Sequence, residues 1–368
     1  MNIRNVLKLP LFLATLGLTA GNYNNNQQGS DCAPLCYAGP VLDCDNNWDV
    51  LGAALYEQVN VQGADIAALI DRTTPVYPAN GLVVNQTETP SWGFKVGLGY
   101  KNWTDNWRSY ATYSWFKAIS NLNYQAAVGQ QYVPSAYTNQ FVENSQIPQT
   151  FGFANLQTGN YTLVNNLNVL MGRPTLITEN LELTTSYGVT GSWLTRRQIA
   201  VYTNETTLNA APVSFTPAQG GYFQNYQKYL WWGIGPMVAL HSVYYFGGGI
   251  GMYADANVAV TYGVSDCRTA TFSKQQTAAA NVPPVYRAQE AVQQNKIFQF
   301  SPQYYFQLGL NWSQTFREDS IRASFNIGYE TTYYMQVMKT ITPEIAYRSE
   351  NGAGLGMQGL VLQGMLDF

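Results

Sequence analysis

The residues from Gly356 to Phe368 alternate in character. Leu360, Leu362, Leu366 and Phe368 share one parity, Gly364 lies between them, and the last residue is aromatic. A final strand with one apolar face and a terminal Phe is the pattern of a strand that closes an outer-membrane barrel. The constraint is severe, because a closed barrel is the only β structure that can lie in hydrocarbon with no unpaired backbone edge.

The same period of two recurs upstream. From Gln299 to Ser313, Phe300, Pro302, Tyr304, Phe306, Leu308, Leu310 and Trp312 take one face, and Gln299, Ser301, Gln303, Gln307, Asn311 and Ser313 take the other. From Ile321 to Val337 an apolar set running Phe325, Ile327, Tyr329, Tyr333, Met335, Val337 alternates with Arg322, Ser324, Asn326, Gly328 and Glu330. Tyr244–Tyr262 and Trp92–Tyr100 alternate likewise, and weaker patterns lie at 48–59, 107–118, 161–172, 181–195 and 226–239. With 356–368 these make ten candidate strands. The intervals between them, from 60–91 to 338–355, alternate long and short, with a four-residue turn expected at 240–243. The expectation is an all-β, antiparallel, up-and-down transmembrane barrel of about ten strands, with long extracellular loops and short periplasmic turns.

Composition agrees. Charged residues are 11%, against about 25% in a typical soluble domain. Tyr (27), Phe (16), Trp (9) and Gly (32) are abundant, as aromatic girdles and curved strands require. Trp107, Trp115, Trp231, Trp232 and Trp312 are expected at the membrane interfaces. A net charge of −3 gives no basic field for nucleic acid. Residues 1–20 read as a signal peptide: Arg4 and Lys8 precede an apolar run from Leu9 to Ala20. Residues 21–47 form an irregular Cys-containing segment, and 48–368 the barrel. Export to an oxidising compartment makes disulfides among Cys32, Cys36, Cys44 and Cys267 an expectation, with the pairing open.

Inward parity marks candidate pore-lining residues: Lys95, Arg108, Glu182, Asp255, Asn257, Gln303, Gln307, Asn311, Arg322, Asn326 and Glu330. Whether they plug the lumen or line a passage is open at this point. Three cations against three acids among them predict weak ion preference. No catalytic set, metal site or cofactor site is expected. His241 is the only histidine, read as a solvated turn residue. Gly247-Gly248-Gly249-Ile250-Gly251 lacks the Lys-Ser/Thr ending of a phosphate loop and reads as part of an alternating strand.

Several segments resemble the Legionella major outer membrane protein-like family of pore-forming proteins, which includes MOMP-like proteins of chlamydia-related bacteria. Trp48-Asp49-Val50-Leu51-Gly52-Ala53-Ala54-Leu55-Tyr56 is similar to that family's first strand, with Glu57 where a Trp is usual. Gly93-Phe94-Lys95-Val96-Gly97-Leu98-Gly99-Tyr100, then Asn106-Trp107 and Tyr113-Ser114-Trp115-Phe116, resemble its second hairpin. Val169-Leu170-Met171-Gly172-Arg173, Trp232-Gly233-Ile234-Gly235-Pro236 and Leu308-Gly309-Leu310-Asn311-Trp312 follow in order. The resemblance implies a porin-like protein of the bacterial outer membrane that passes small hydrophilic solutes and ions. It implies outer-membrane lipid as its surroundings, and homo-oligomers or disulfide-linked envelope neighbours as partners. The alternative is a closed structural or adhesive barrel that acts through its extracellular loops.

Overall fold

The structure, a computed structural model, describes residues 48–61, 65–71, 81–85, 88–102, 107–134, 151–207, 222–277, 285–316, 321–343 and 348–368. The expected signal peptide, the 21–47 segment and Cys32, Cys36 and Cys44 lie outside them.

The strands are β1 (Trp48–Val61), β2 (Asp65–Asp71), β3 (Gly81–Asn85), β4 (Ser91–Asn102), β5 (Trp107–Gln125), β6 (Gln130–Pro134), β7 (Phe151–Leu176), β8 (Leu181–Thr207), β9 (Tyr222–Gly247), β10 (Ile250–Thr277), β11 (Val285–Phe316), β12 (Ile321–Pro343) and β13 (Arg348–Asp367). All are antiparallel members of one sheet. Ten close a ring: β1 pairs with β4 and β13, β4 with β5, β5 with β7, β7 with β8, and each of β8 to β12 with its successor. The seam between first and last strands runs from Asp49 opposite Asp367 to Val61 opposite Leu355. The ring therefore has no edge. β2, β3 and β6 lie outside this count, as an extension at the loop end that pairs through β6 with β7.

Alternation sets the two faces. Phe94, Val96, Leu98, Phe306, Leu308, Leu310, Ile327 and Leu362 are exposed, while Gln303, Gln307, Asn311, Asn326 and Glu330 are buried inside the ring. Exposure of large apolar side chains around a whole sheet is the lipid-facing surface of a barrel. Two aromatic rows bound it. Trp48 against Tyr100 and Trp107 against Tyr187 lie at the turn end. Tyr56 against Trp92 and Tyr262 against Phe300 lie at the loop end. With about 3.4 Å per residue and a tilt of about 40°, Trp92 to Tyr100 covers about 21 Å and Phe300 to Trp312 about 31 Å. These lengths bracket the apolar band of an outer-membrane barrel. Trp231 departs from the interfacial expectation. It is buried inside the ring, because its neighbour Trp232 takes the outward side and adjacent strand residues point oppositely.

Four further expectations are corrected. First, the long intervals are partly strand. β10 runs on to Thr277 and β11 begins at Val285, where a connection over 263–298 was expected. Beyond the lipid the ladder continues without its hydropathy signal, since water leaves no reason for one face to be apolar. Second, the β9–β10 turn lies at Gly247–Gly249 and not at 240–243. These three glycines have φ of 108°, 63° and 77°, which L side chains rarely adopt. Third, His241 is consequently a strand residue, opposite Asp255 in the ladder. Fourth, the alternation of β12 breaks at a bulge between Tyr334 and Met338, with Gln336 at φ 55°, so that Val337 and Met338 are both buried.

A charge placed at mid-height on the outer face must be solvated by lipid. Ile327→Arg is expected to cost about 2–4 kcal/mol, read as a lower urea midpoint for unfolding from lipid vesicles. The same change at Gln314, exposed near the turn end, should cost roughly 0–1 kcal/mol.

Candidate functional site

The interior of the ring is stratified. At the turn end, Arg108 Nε donates to Asp49 Oδ2 at 2.8 Å and Arg322 Nε to Asp367 Oδ2 at 2.6 Å. Asp49 reaches Arg108 because Gly99 leaves room: a Cβ there would meet the Asp49 carboxylate oxygens at 2.1 and 2.3 Å. Next, His241 Nδ1 meets Asp255 Oδ1 at 2.5 Å, and Asn311 donates to Asn326 at 2.6 Å. Deeper still, Lys95 Nζ binds Glu330 Oε2 at 2.8 Å and the Tyr305 hydroxyl at 3.1 Å. Tyr305 donates to Glu330 at 2.8 Å, and Gln307 donates to the Tyr253 hydroxyl at 2.6 Å. Glu57 stands beside the Lys95–Glu330 pair, buried as Glu330 is. Gln303 donates to Ser192 at 2.8 Å and to Thr261 at 3.1 Å.

These groups enclose a cavity of about 230 Å³, room for several waters or one small solute. Lys95, Arg108, Glu182, Asp255, Asn257, Gln303, Gln307, Asn311, Arg322, Asn326 and Glu330 all lie on its wall. Parity brought them together across β4, β5, β8, β10, β11 and β12. Sequence reasoning missed Asp49, Glu57, His241, Tyr253 and Tyr305, which share the wall. Asp49 has the parity of buried Leu55, so the alternation of β1 carried the signal. The acids on the wall are Asp49, Glu57, Glu182, Asp255 and Glu330, against Lys95, Arg108 and Arg322. Asp367 and Lys101 stand near one another at the turn-end rim and offset each other. With His241 counted among the bases, the wall carries five acids against four basic side chains, and one of the acids, Glu57, is buried against Glu330.

Exposure falls with depth. The side chains of His241, Arg108 and Arg322 are 37%, 26% and 21% exposed, Lys95 is 15%, and Glu330 is 3%. The cavity therefore opens towards the short-turn end. On its loop side thirteen buried residues from eight ring strands pack into one apolar layer, among them Val59, Phe116, Leu194, Trp231, Cys267, Val337 and Met357. Cys267, a disulfide candidate by sequence, belongs to this layer. Above it Glu88 accepts from Thr162 at 2.7 Å, with Arg196 Nε 3.6 Å away. A second apolar group, including Ile66 and Ala67 of β2 with Phe153, Tyr202 and Phe223, fills the loop end, and Tyr202 donates to the Ile66 carbonyl at 2.6 Å.

A closed antiparallel ring with a lipid-facing apolar band and a polar interior defines an outer-membrane β-barrel protein. Residues 41–368 match the family described as the Legionella pneumophila major outer membrane protein precursor, and the chain belongs to that family. No curated protein matches it. Among solved structures it is similar to the Escherichia coli outer membrane protease OmpT, with 9% identity, 92% of this chain and 99% of that chain covered, and a TM-score of 0.37. It is also similar to a Pseudomonas aeruginosa FadL homologue, with 8% identity, 88% and 90% covered, and a TM-score of 0.27. The Pseudomonas putida toluene transporter TodX has 8% identity, 88% and 89% coverage, and a TM-score of 0.25.

Lys95 neutralises a pocket that contains Glu330 and Glu57. Lys95→Met leaves these acids without their cation and is expected to destabilise the barrel by about 3–5 kcal/mol. Adding Glu330→Gln to that variant should recover most of the loss, measured by the urea midpoint of each.

Proposed function

We propose that the protein is a passive, non-catalytic diffusion pathway for small hydrophilic solutes and ions across the outer membrane. The observation that carries this reading is the polar cavity of about 230 Å³ inside the ring. Ions and polar solutes replace part of their hydration with the wall's amides, hydroxyls and carboxylates. Lys95, Arg108, Arg322 and His241 stand against Asp49, Glu182, Asp255 and Glu330, with Glu57 buried beside Glu330, so the wall is close to balanced and its ion preference is weak. The apolar layer on the loop side acts as a constriction that water leaves and enters, a recognised mode of gating by dewetting. The second reading, a closed barrel that acts through its loops, is favoured by that same layer if it never wets.

Single-channel recording in planar bilayers separates the two. Stepwise conductance is expected, with a reversal potential near zero in a salt gradient. Met357→Ser, which introduces a hydroxyl into the apolar layer, should raise conductance or open probability. Lys95→Glu with Arg322→Glu should move the reversal potential to the cation side. Silence from both folded native protein and Met357→Ser would leave the closed barrel standing.

A further inference from the structure

Five basic side chains share the outer face of the sheet just past the loop-side aromatic row. Trp193 lies opposite Trp232 in the β8–β9 ladder, and four residues nearer the loops Arg197 lies opposite Lys228. Lys228 in turn lies opposite Arg268 on β10. Their sequence neighbours Arg196, Gln198, Gln227, Tyr229, Cys267 and Thr269 are buried inside the ring, which fixes these three outward. Lys117 joins from β5: its Nζ and the Arg197 guanidinium lie 5.5 and 5.7 Å from the Tyr161 ring centre. Lys296 on β11 is exposed and stands opposite Asp266. Asp266, paired with Arg268 at 2.9 Å, is the acid of this face at this height among the described residues. Five cations less one acid leave four positive charges.

Like charges directly opposite in a ladder destabilise a sheet. Arg197, Lys228 and Arg268 form such a row over three consecutive strands, and Asp266 answers only one of them. The row also stands four residues nearer the loops than exposed Trp193 and Trp232, with exposed Tyr262 below them, where the hydrocarbon ends and headgroups begin. We infer that this row binds the phosphate groups of an outer-leaflet glycolipid, whose acyl chains lie down the Trp193, Trp232 and Tyr262 surface. The phosphates supply the negative charge that the row lacks, and the aromatics supply the apolar contact below it. The inference rests on the outer-membrane placement and is independent of whether the lumen conducts.

The test is native mass spectrometry of the folded, detergent-solubilised full chain titrated with bisphosphorylated lipid A. Each basic residue near an anionic surface is worth about 1 kcal/mol. Removing three, in Arg197→Gln/Lys228→Gln/Arg268→Gln, should therefore weaken binding roughly 100-fold. Lipid A stripped of its phosphates should bind the native protein as weakly as bisphosphorylated lipid A binds the triple variant. Arg173→Gln, an outward cation at the turn end, should leave binding unchanged. Equal binding by the folded triple variant, equal binding of phosphate-free lipid A, or an equal loss in Arg173→Gln would each overturn the site. Should the triple variant not fold, the comparison of the two lipids on native protein still decides.

Discussion

Backbone hydrogen bonding in hydrocarbon governs this molecule. Each strand exposes its N–H and C=O groups to a solvent that cannot accept or donate, so every ladder must find a neighbour. The Asp49–Asp367 to Val61–Leu355 seam meets that demand for the first and last strands. Once the ring is closed, period-two geometry assigns each side chain to lipid or lumen, save where the β12 bulge resets the count. The apolar band, the aromatic rows and the polar interior all follow from that assignment.

What closure does not dictate is how the lumen is filled. In a ring of ten strands, side chains from opposite walls approach one another, so the inner face serves both as a solvated surface and as a core. Both solutions occur here at different heights. Near the turns, Asp49–Arg108, Asp367–Arg322 and Lys95–Glu330 neutralise one another while a cavity persists between them. Towards the loops, Val59, Phe116, Leu194, Val337 and Met357 meet in the middle as a protein core would. The transition between the two falls next to Glu57, where an acid faces both Lys95, the deepest cation of the cavity, and the first apolar layer.

The ten strands of the ring and the facing of Phe306, Leu308, Ile327 and Leu362 were legible in the sequence because lipid enforces them residue by residue. The weaker alternation at 48–59, 161–172, 181–195 and 226–239 has a physical cause. Those strands carry Val59, Val164, Leu194, Tyr229 and Trp231 into the apolar layer, so both faces are apolar and the period fades. His241 was misread because a His-Ser pair has the composition of a turn, although only His241 faces the lumen here, while the true turn of three glycines fits an inward glycine row. Partners were not legible at all. Lys95 and Glu330 are 235 residues apart, and only closure of the ring and its stagger bring them together.

The outward basic row follows from the same geometry carried past the membrane. Inside the hydrocarbon, an outward Lys or Arg would be expelled; in water, it would be unremarked. Between the two, at the headgroups, a cation is favoured if it meets a phosphate and penalised if it meets another cation. Arg197, Lys228 and Arg268 are placed at that height on adjacent strands, and the β8–β11 ladders run on beyond them towards the loops. Strand continuation therefore holds these charges in fixed register, as no flexible loop would. A rigid array of like charges is worth its electrostatic cost only where the surroundings supply the counter-charge, and the anionic outer leaflet is the part of this protein's environment that does so.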